Sequence, residues 1–251
     1  MSTDDDPDPT LQMLIAEAEA DPDVIGLILT GSRGAGAVHP ESDYDVCFLV
    51  TDAAYDRYER EAQPPQRGDF LDLAQKHDIW HECPRRFYTP ELPAWEIPGF
   101  AEGRVLLDKT GETAAALAAF TTITEAQARA TAANRYDDYL NRLYRSLKAW
   151  RRGNELGGRL QAAESAFALL HILFALERRH QPYHDRLWLH LDSLAPQGWQ
   201  PGELRAILLD LISTGAPQRQ QAIARRVIAL MRERGYEDTY NAWDGQIDMI
   251  L

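Results

Sequence analysis

Residues 24–50, VIGLILTGSRGAGAVHPESDYDVCFLV, restrict the possible folds more than any other stretch of the chain. Two apolar runs there flank a Gly-Ser turn and a paired aspartate. The first run, 24–30, is aliphatic and β-branched with turn residues at each end, the pattern of a strand buried on both faces. Glycine has no Cβ and serine carries a small hydroxyl donor. Gly31-Ser32 therefore brings bare backbone N–H groups close to an anion, and phosphate oxygens are the natural guest. Ten residues separate Ser32 from Asp43-Tyr44-Asp45, which opens the second run. Strand alternation puts Asp43 and Asp45 on one face and Tyr44, Val46 and Phe48 on the other.

Two carboxylates two residues apart on a strand repel one another and are costly to bury, so the pair calls for a divalent cation, Mg²⁺ first. The turn, the ten-residue spacing and the Asp-x-Asp strand together resemble the nucleotidyltransferase superfamily that includes DNA polymerase β and the aminoglycoside nucleotidyltransferases. That resemblance implies an α+β chain, a small mixed-sheet catalytic domain followed by an all-α helical bundle. It also implies that Gly31 and Ser32 contact the nucleotide, with Arg33 as a further cation near the phosphates or the partner of a local acid. Asp43 and Asp45 become ligands of two Mg²⁺ ions, and ATP or another nucleoside triphosphate is the co-substrate.

The resemblance further implies a third carboxylate on a neighbouring strand, either a metal ligand or the acceptor's base. Asp72 in FLDLA and Asp78 in HDIWHEC are the candidates. Asp78 is preferred, because its run leads into a proline-punctuated segment, 84–98, in the order strand, loop, helix. Glu82 shares strand parity with Asp78 and ranks third. His77 and His81 lie too far apart on a strand for easy joint ligation and are read as non-ligands.

A net charge of −13 and a pI near 4.9 argue against a long nucleic-acid partner, which needs an extended basic surface, and suit a small cationic acceptor better. Cys47 and Cys83 are too few for a disulfide framework or a metal quartet and read as buried free thiols. The N-terminus is acidic where a secretory leader is basic, and no apolar stretch approaches the roughly 18 to 20 residues of a membrane span. The expected location is the cytoplasm, without a membrane partner.

In chain order, residues 1–9 hold four Asp and two Pro and read as a disordered acidic tail. Helices are expected over 11–20 and 53–62, the second closed by Pro64-Pro65, and the catalytic domain spans 10–121. A strand over 104–108 and a helix over 112–120 complete it. Thr122-Ile123-Thr124-Glu125 has capping-box form and opens a helical bundle domain, 122–251. Its helices are expected over 125–152, 159–179, 184–194, 201–213 and 217–234, with Trp243, Ile250 and Leu251 packing onto them.

The helix over 125–152 carries one polar stripe of Asp137, Asn141, Tyr144 and Lys148. In the resembled enzymes helical residues complete the nucleotide and acceptor pocket, so Lys148, and after it Arg145, is the expected phosphate contact. Arg179 and His184 also resemble the Arg-x4-6-His motif of helical ribonuclease toxins, although Pro182 lies inside it and a helix-end turn is the simpler meaning. His171 reads as a core histidine. The expected activity is Mg²⁺-dependent transfer of a nucleoside monophosphate, AMP first, to a hydroxyl of a small acceptor such as an aminoglycoside. The alternatives are a protein hydroxyl as acceptor, or an antitoxin-like nucleotide-binding module.

Overall fold

The computed structural model describes residues 8–61, 77–89 and 91–251. Of the expected tail, Asp8 and Pro9 fall within that range and are structured, and the rest of it lies outside the described residues. Helix α1 spans Pro9–Ala20, and the Asp8 carboxylate caps it by accepting from the N–H of Thr10 at 3.0 Å and of Leu11 at 3.4 Å. Proline at the first helical position lacks an N–H that would have no helical acceptor there, and aspartate is a favoured cap, so acidic composition alone was misleading.

Four strands form one mixed sheet. β1 (Val24–Leu29), β2 (Tyr44–Val50), β3 (His77–Glu82) and β4 (Arg104–Asp108) lie in the order β3-β2-β1-β4. β1 runs antiparallel to β2 and β4, whereas β2 and β3 are parallel. All six residues of β1 are buried, as its unbroken apolar run demands. On one face, Leu14 and Ala18 of α1 and Ala54 of α3 (Asp52–Arg60) join a core with Leu27, Leu29, Val46 and Phe48. On the other, Ile28, Cys47 and Leu49 share a core with Phe87, Phe100 and Ala116.

Those last three residues lie on α4 (Pro84–Tyr88), α5 (Ile97–Ala101) and α6 (Glu112–Thr121). The proline-punctuated segment therefore folds into short helices. Phe87, Phe100 and Phe120 meet edge to face, with centroids 5.1, 5.6 and 5.7 Å apart, the arrangement their ring quadrupoles favour. The expected closure of α3 by Pro64-Pro65, and Asp72 with it, lie outside the described residues.

The chain divides into two compact units on either side of Thr122. The second is helical: α7 (Glu125–Arg151), α8 (Glu155–Leu176), α9 (Glu203–Ser213), α10 (Pro217–Glu233) and α11 (Glu237–Asn241). Leu140, Leu143 and Leu147 of α7 share its core with Leu169, Ile172 and Leu173 of α8, and Ile247 and Ile250 close it from the C-terminal segment. Three expectations are corrected. The capping box is formed by Thr124 and Gln127, because α6 runs to Thr121 and Thr122 is its C-terminal cap. The helix expected over 184–194 is replaced by 3₁₀ turns at Leu187–Leu189 and Leu191–Gln197. Among the described residues one helix, α8, is long and apolar enough to cross a membrane, although 56% of its apolar window is buried in the fold.

The end of β4 is tied to α6 by Asp108, whose carboxylate accepts from the N–H groups of Gly111 at 2.7 Å, Ala114 at 3.0 Å, Thr110 at 3.3 Å and Thr113 at 3.4 Å. Burial alone would raise its pKa, but these donors outweigh it and hold the carboxyl below its ordinary value. A depressed folded-state pKa means stabilisation that is present above the unfolded carboxylate range and lost as pH falls through it. Asp108→Ala is expected to cost about 1 to 2 kcal/mol at neutral pH, the cost of losing a helix cap. Urea titration of both proteins checks this, and the gap should close in acid.

Candidate active site

The site grows from the join between β1 and β2. The chain leaves β1 at Thr30 and makes a single helical turn, α2 (Gly31–Gly34), before the loop that leads to β2. A one-turn helix leaves the leading N–H groups, those of Gly31, Ser32 and Arg33, without helical acceptors. Thr30 fixes the turn against β2 by donating its N–H to the Asp45 carbonyl at 2.8 Å, with its hydroxyl 3.4 Å from the same oxygen.

Gly31 has φ +60°, a left-handed conformation that side chains disfavour. The Asp45 carboxylate lies directly against its Cα, so that a Cβ built on Gly31 would stand 1.6 Å from Asp45 Oδ2. The turn and the carboxylate are thus one construction, and glycine is required by contact as well as by dihedral angle.

Ser32 donates its hydroxyl to Ser42 Oγ at 2.8 Å, and Ser42, almost fully buried, also accepts the His39 N–H at 3.0 Å. This closes the intervening loop and holds the start of β2 beside the turn. Ser42 carried no sequence signal beyond its place next to Asp43. Asp43 is exposed and Asp45 half-buried, one pleat apart.

Asp78 is the partner of Asp45 in the parallel register of β2 and β3, so the two carboxylates arise side by side on one sheet face. Glu82, the third choice, lies further along β3 and is buried against Arg86, 2.5 Å away, whose guanidinium also reaches the Tyr55 hydroxyl. His81 projects from the opposite face between Phe48 and Tyr58, centroids 5.5 and 5.6 Å away, and burial lowers its pKa.

Arg33 is built into the scaffold. Its Nε donates to the Asp43 carbonyl at 2.9 Å and Nη2 to the Ser42 carbonyl at 3.3 Å. The guanidinium stacks 3.8 Å above the Tyr44 ring and pairs with Asp8 at 3.3 Å, while the Tyr44 hydroxyl also reaches Asp8 at 2.9 Å. Of the two roles weighed for Arg33, the local ion pair is present, with Asp8 as its acid. Asp8 was missed as a contributor because it sits in an acidic run with no motif.

Lys148 lies in the helical unit, on α7, one turn from Arg145 and Tyr144. Arg179 donates to Ser193 Oγ at 2.7 Å and meets His190 Nδ1 at 3.0 Å, whereas His184 packs on the Phe167 ring, so the two ends of the toxin-like spacing serve different neighbours. His171 meets Gln181 through Nδ1, and burial lowers its pKa.

The donor set suits Mg²⁺, since all three candidate ligands are hard carboxylate oxygens, Asp45 and Asp78 on adjacent strands and Asp43 just before the first of them. Among the described residues no three His, Cys, Asp or Glu side chains converge closely enough to hold a metal unaided. Mg²⁺ is commonly held by one or two carboxylates together with substrate phosphates, and an incomplete protein cage is consistent with that arrangement.

Gly31→Ala and Gly36→Ala separate the two demands on the turn. Gly36 also has positive φ, at +71°, but a Cβ there meets nothing within 4 Å. Gly36→Ala should cost about 1 to 2 kcal/mol from backbone conformation alone. Gly31→Ala should cost about 1 to 3 kcal/mol more, through overlap with Asp45, as read from denaturant midpoints at constant slope.

No family model and no curated protein matches the chain. Among solved structures it matches a nucleotidyltransferase-like protein from Exiguobacterium sibiricum at 12% identity and a TM-score of 0.44, over 95% of this chain and 76% of that one. At that degree of likeness the residues of the site, and not the neighbour, carry the functional reading.

Proposed function

We propose that the chain is a Mg²⁺-dependent nucleotidyltransferase that moves a nucleoside monophosphate from a nucleoside triphosphate, ATP first, to a hydroxyl acceptor. The observation that supports this most is the contact between Gly31 and Asp45, which joins an anion-accepting turn to a carboxylate pair. Neither half explains the other structurally. A β-turn has no need of a carboxylate against its glycine, and an acidic strand start has no need of a turn that presents bare N–H groups.

In this reading the N–H groups of the turn and the Ser32 hydroxyl hold the terminal phosphates. Ser42 supports that role: by bonding Ser32 Oγ, it fixes the hydroxyl while leaving it able to turn its proton toward an anion. Asp43 and Asp45 hold the metal, and Asp78, beside Asp45, supplies the third carboxylate or takes the acceptor's proton. The acceptor oxygen forms its bond to the α-phosphorus as the bond to the bridging oxygen breaks, and pyrophosphate leaves. Bound Mg²⁺ would neutralise charge on the triphosphate and lower the pKa of the attacking hydroxyl. Arg33 contributes by holding the carbonyls of Ser42 and Asp43 and thereby the angle at which β2 starts.

The excess of 39 acidic over 26 basic residues favours a small cationic acceptor, an aminoglycoside being one such molecule. Transfer of label from α-³²P triphosphate to a panel of hydroxyl acceptors, with pyrophosphate release, tests the proposal. Turnover should require Mg²⁺, and Asp45→Asn should lower it on the order of a hundredfold or more, in line with the several kcal/mol of charge stabilisation metal ions supply. Turnover unaltered in Asp45→Asn would falsify the assignment.

A further inference from the structure

α8 carries apolar residues on two sides. Leu169, Ile172 and Leu173 fill the core of the helical unit, but Leu156, Leu160, Ala163 and Phe167 form a second stripe that faces outward. Steps of four, three and four residues put them on one line along the helix. Leu156 is 71% exposed, Leu160 57% and Phe167 39%. Single exposed leucines are ordinary on a protein surface, whereas a row of them in helical register marks an interaction face. The row has a definite end, because Leu170 and Phe174, the next positions in register, are buried. Beside it, Arg159 donates from Nη1 to the Ser213 carbonyl at 3.0 Å, and at that end of α9 Leu209 and Ile212 are exposed as well.

The spacing is that of a coiled-coil seam, with Leu156 and Ala163 at d and Leu160 and Phe167 at a. The flanking positions then select an orientation. Arg159 precedes Leu160 at g, and Glu164 follows Ala163 at e, on opposite sides of the stripe. In a parallel pair related by a two-fold axis along the helices, g of one copy meets the e that follows it in the other. Arg159 therefore faces the second copy's Glu164, and symmetry makes the contact twice. An antiparallel pair would instead set Arg159 against Arg159 and Glu164 against Glu164. The remaining flanking residues, Gly157 and Ala166, are small and uncharged and allow close approach.

The change of partners leaves no charge stranded. Within one chain Arg159 pairs with Glu155 at 2.6 Å and Glu164 with Arg142 at 2.7 Å, all on partly exposed side chains where an ion pair is worth little. Arg142 keeps Asp138 at 3.0 Å. We propose that this face of α8 is the interface of a parallel homodimer, its occupant a second copy of the chain. The interface is made within the helical unit and stands whether or not the carboxylates of the sheet transfer nucleotides. A seam of about three helical turns suits association in the micromolar range.

Sedimentation equilibrium of the full chain tests it. The mass should rise with concentration from 28.4 kDa toward twice that value. Leu156→Glu/Leu160→Glu, at the two most exposed positions of the stripe, should stay monomeric with an unchanged circular dichroism spectrum. Arg159→Glu should weaken association about tenfold or more, by facing Glu164 with its own charge. Leu156→Cys reads the orientation, because residue 156 lies beside its own copy in the parallel pair and opposite residue 167 in the antiparallel one. Mild oxidation should convert that variant to a covalent dimer and leave the parent, whose Cys47 and Cys83 are buried, without one. A chain that stays monomeric into the hundred-micromolar range, association unaltered in the leucine variant or in Arg159→Glu, or a Leu156→Cys protein that does not cross-link each overturns the proposal.

Discussion

The sheet-containing unit depends on how closely one backbone atom approaches one carboxylate. Gly31 Cα has the Asp45 side chain against it, and Thr30 N–H holds the Asp45 carbonyl at 2.8 Å. Those contacts fix the turn after β1 relative to the start of β2, and everything else nearby reinforces the same join. The Ser32 and Ser42 hydroxyls tie the loop, and Arg33 clamps the carbonyls of Ser42 and Asp43 while stacked on Tyr44. Asp8 ends that chain of contacts and caps α1 at the same time, so the first helix is coupled to the turn through a single carboxylate.

The division of labour on β2 follows from its two faces. Val46 and Phe48 enter the core with α1 and α3, and Cys47 and Leu49 enter the core with α4 to α6. Asp45 shares the second face at the strand's open end, where it is half-buried and beside Asp78. A strand buried on both sides along its length cannot shift its register without moving apolar residues into the wrong core. The rigid strand thus sets the position of the carboxylate pair.

Much of this was legible in the residues because it is local. The unbroken apolar run of β1, the alternation that starts at Asp43 and the glycine of the turn all follow from spacing and from sterics. What was not legible is either long-range or doubly encoded. The pairing of Asp45 with Asp78 joins positions on strands far apart in sequence, which no local pattern reveals. Glu82 has the right parity, yet its carboxylate is paired with Arg86, a partner four residues later that parity does not consider. At TITEAQ both Thr122 with Glu125 and Thr124 with Gln127 satisfy the capping pattern, and only the length of α6 decides between them. The ion pair of Arg33 depends on Asp8, a residue that composition alone had assigned to a tail.

The central claim is that the turn and the carboxylates act as one phosphate and metal site. Calorimetric titration of a non-hydrolysable nucleoside triphosphate analogue, with Mg²⁺ and without it, into the parent and into Asp45→Asn tests it most directly. The account predicts binding that strengthens with Mg²⁺ in the parent, and an Asp45→Asn variant, folded by its thermal transition, that loses the Mg²⁺-dependent part. Binding with the same Mg²⁺ dependence in both proteins, or none in the parent, would contradict it.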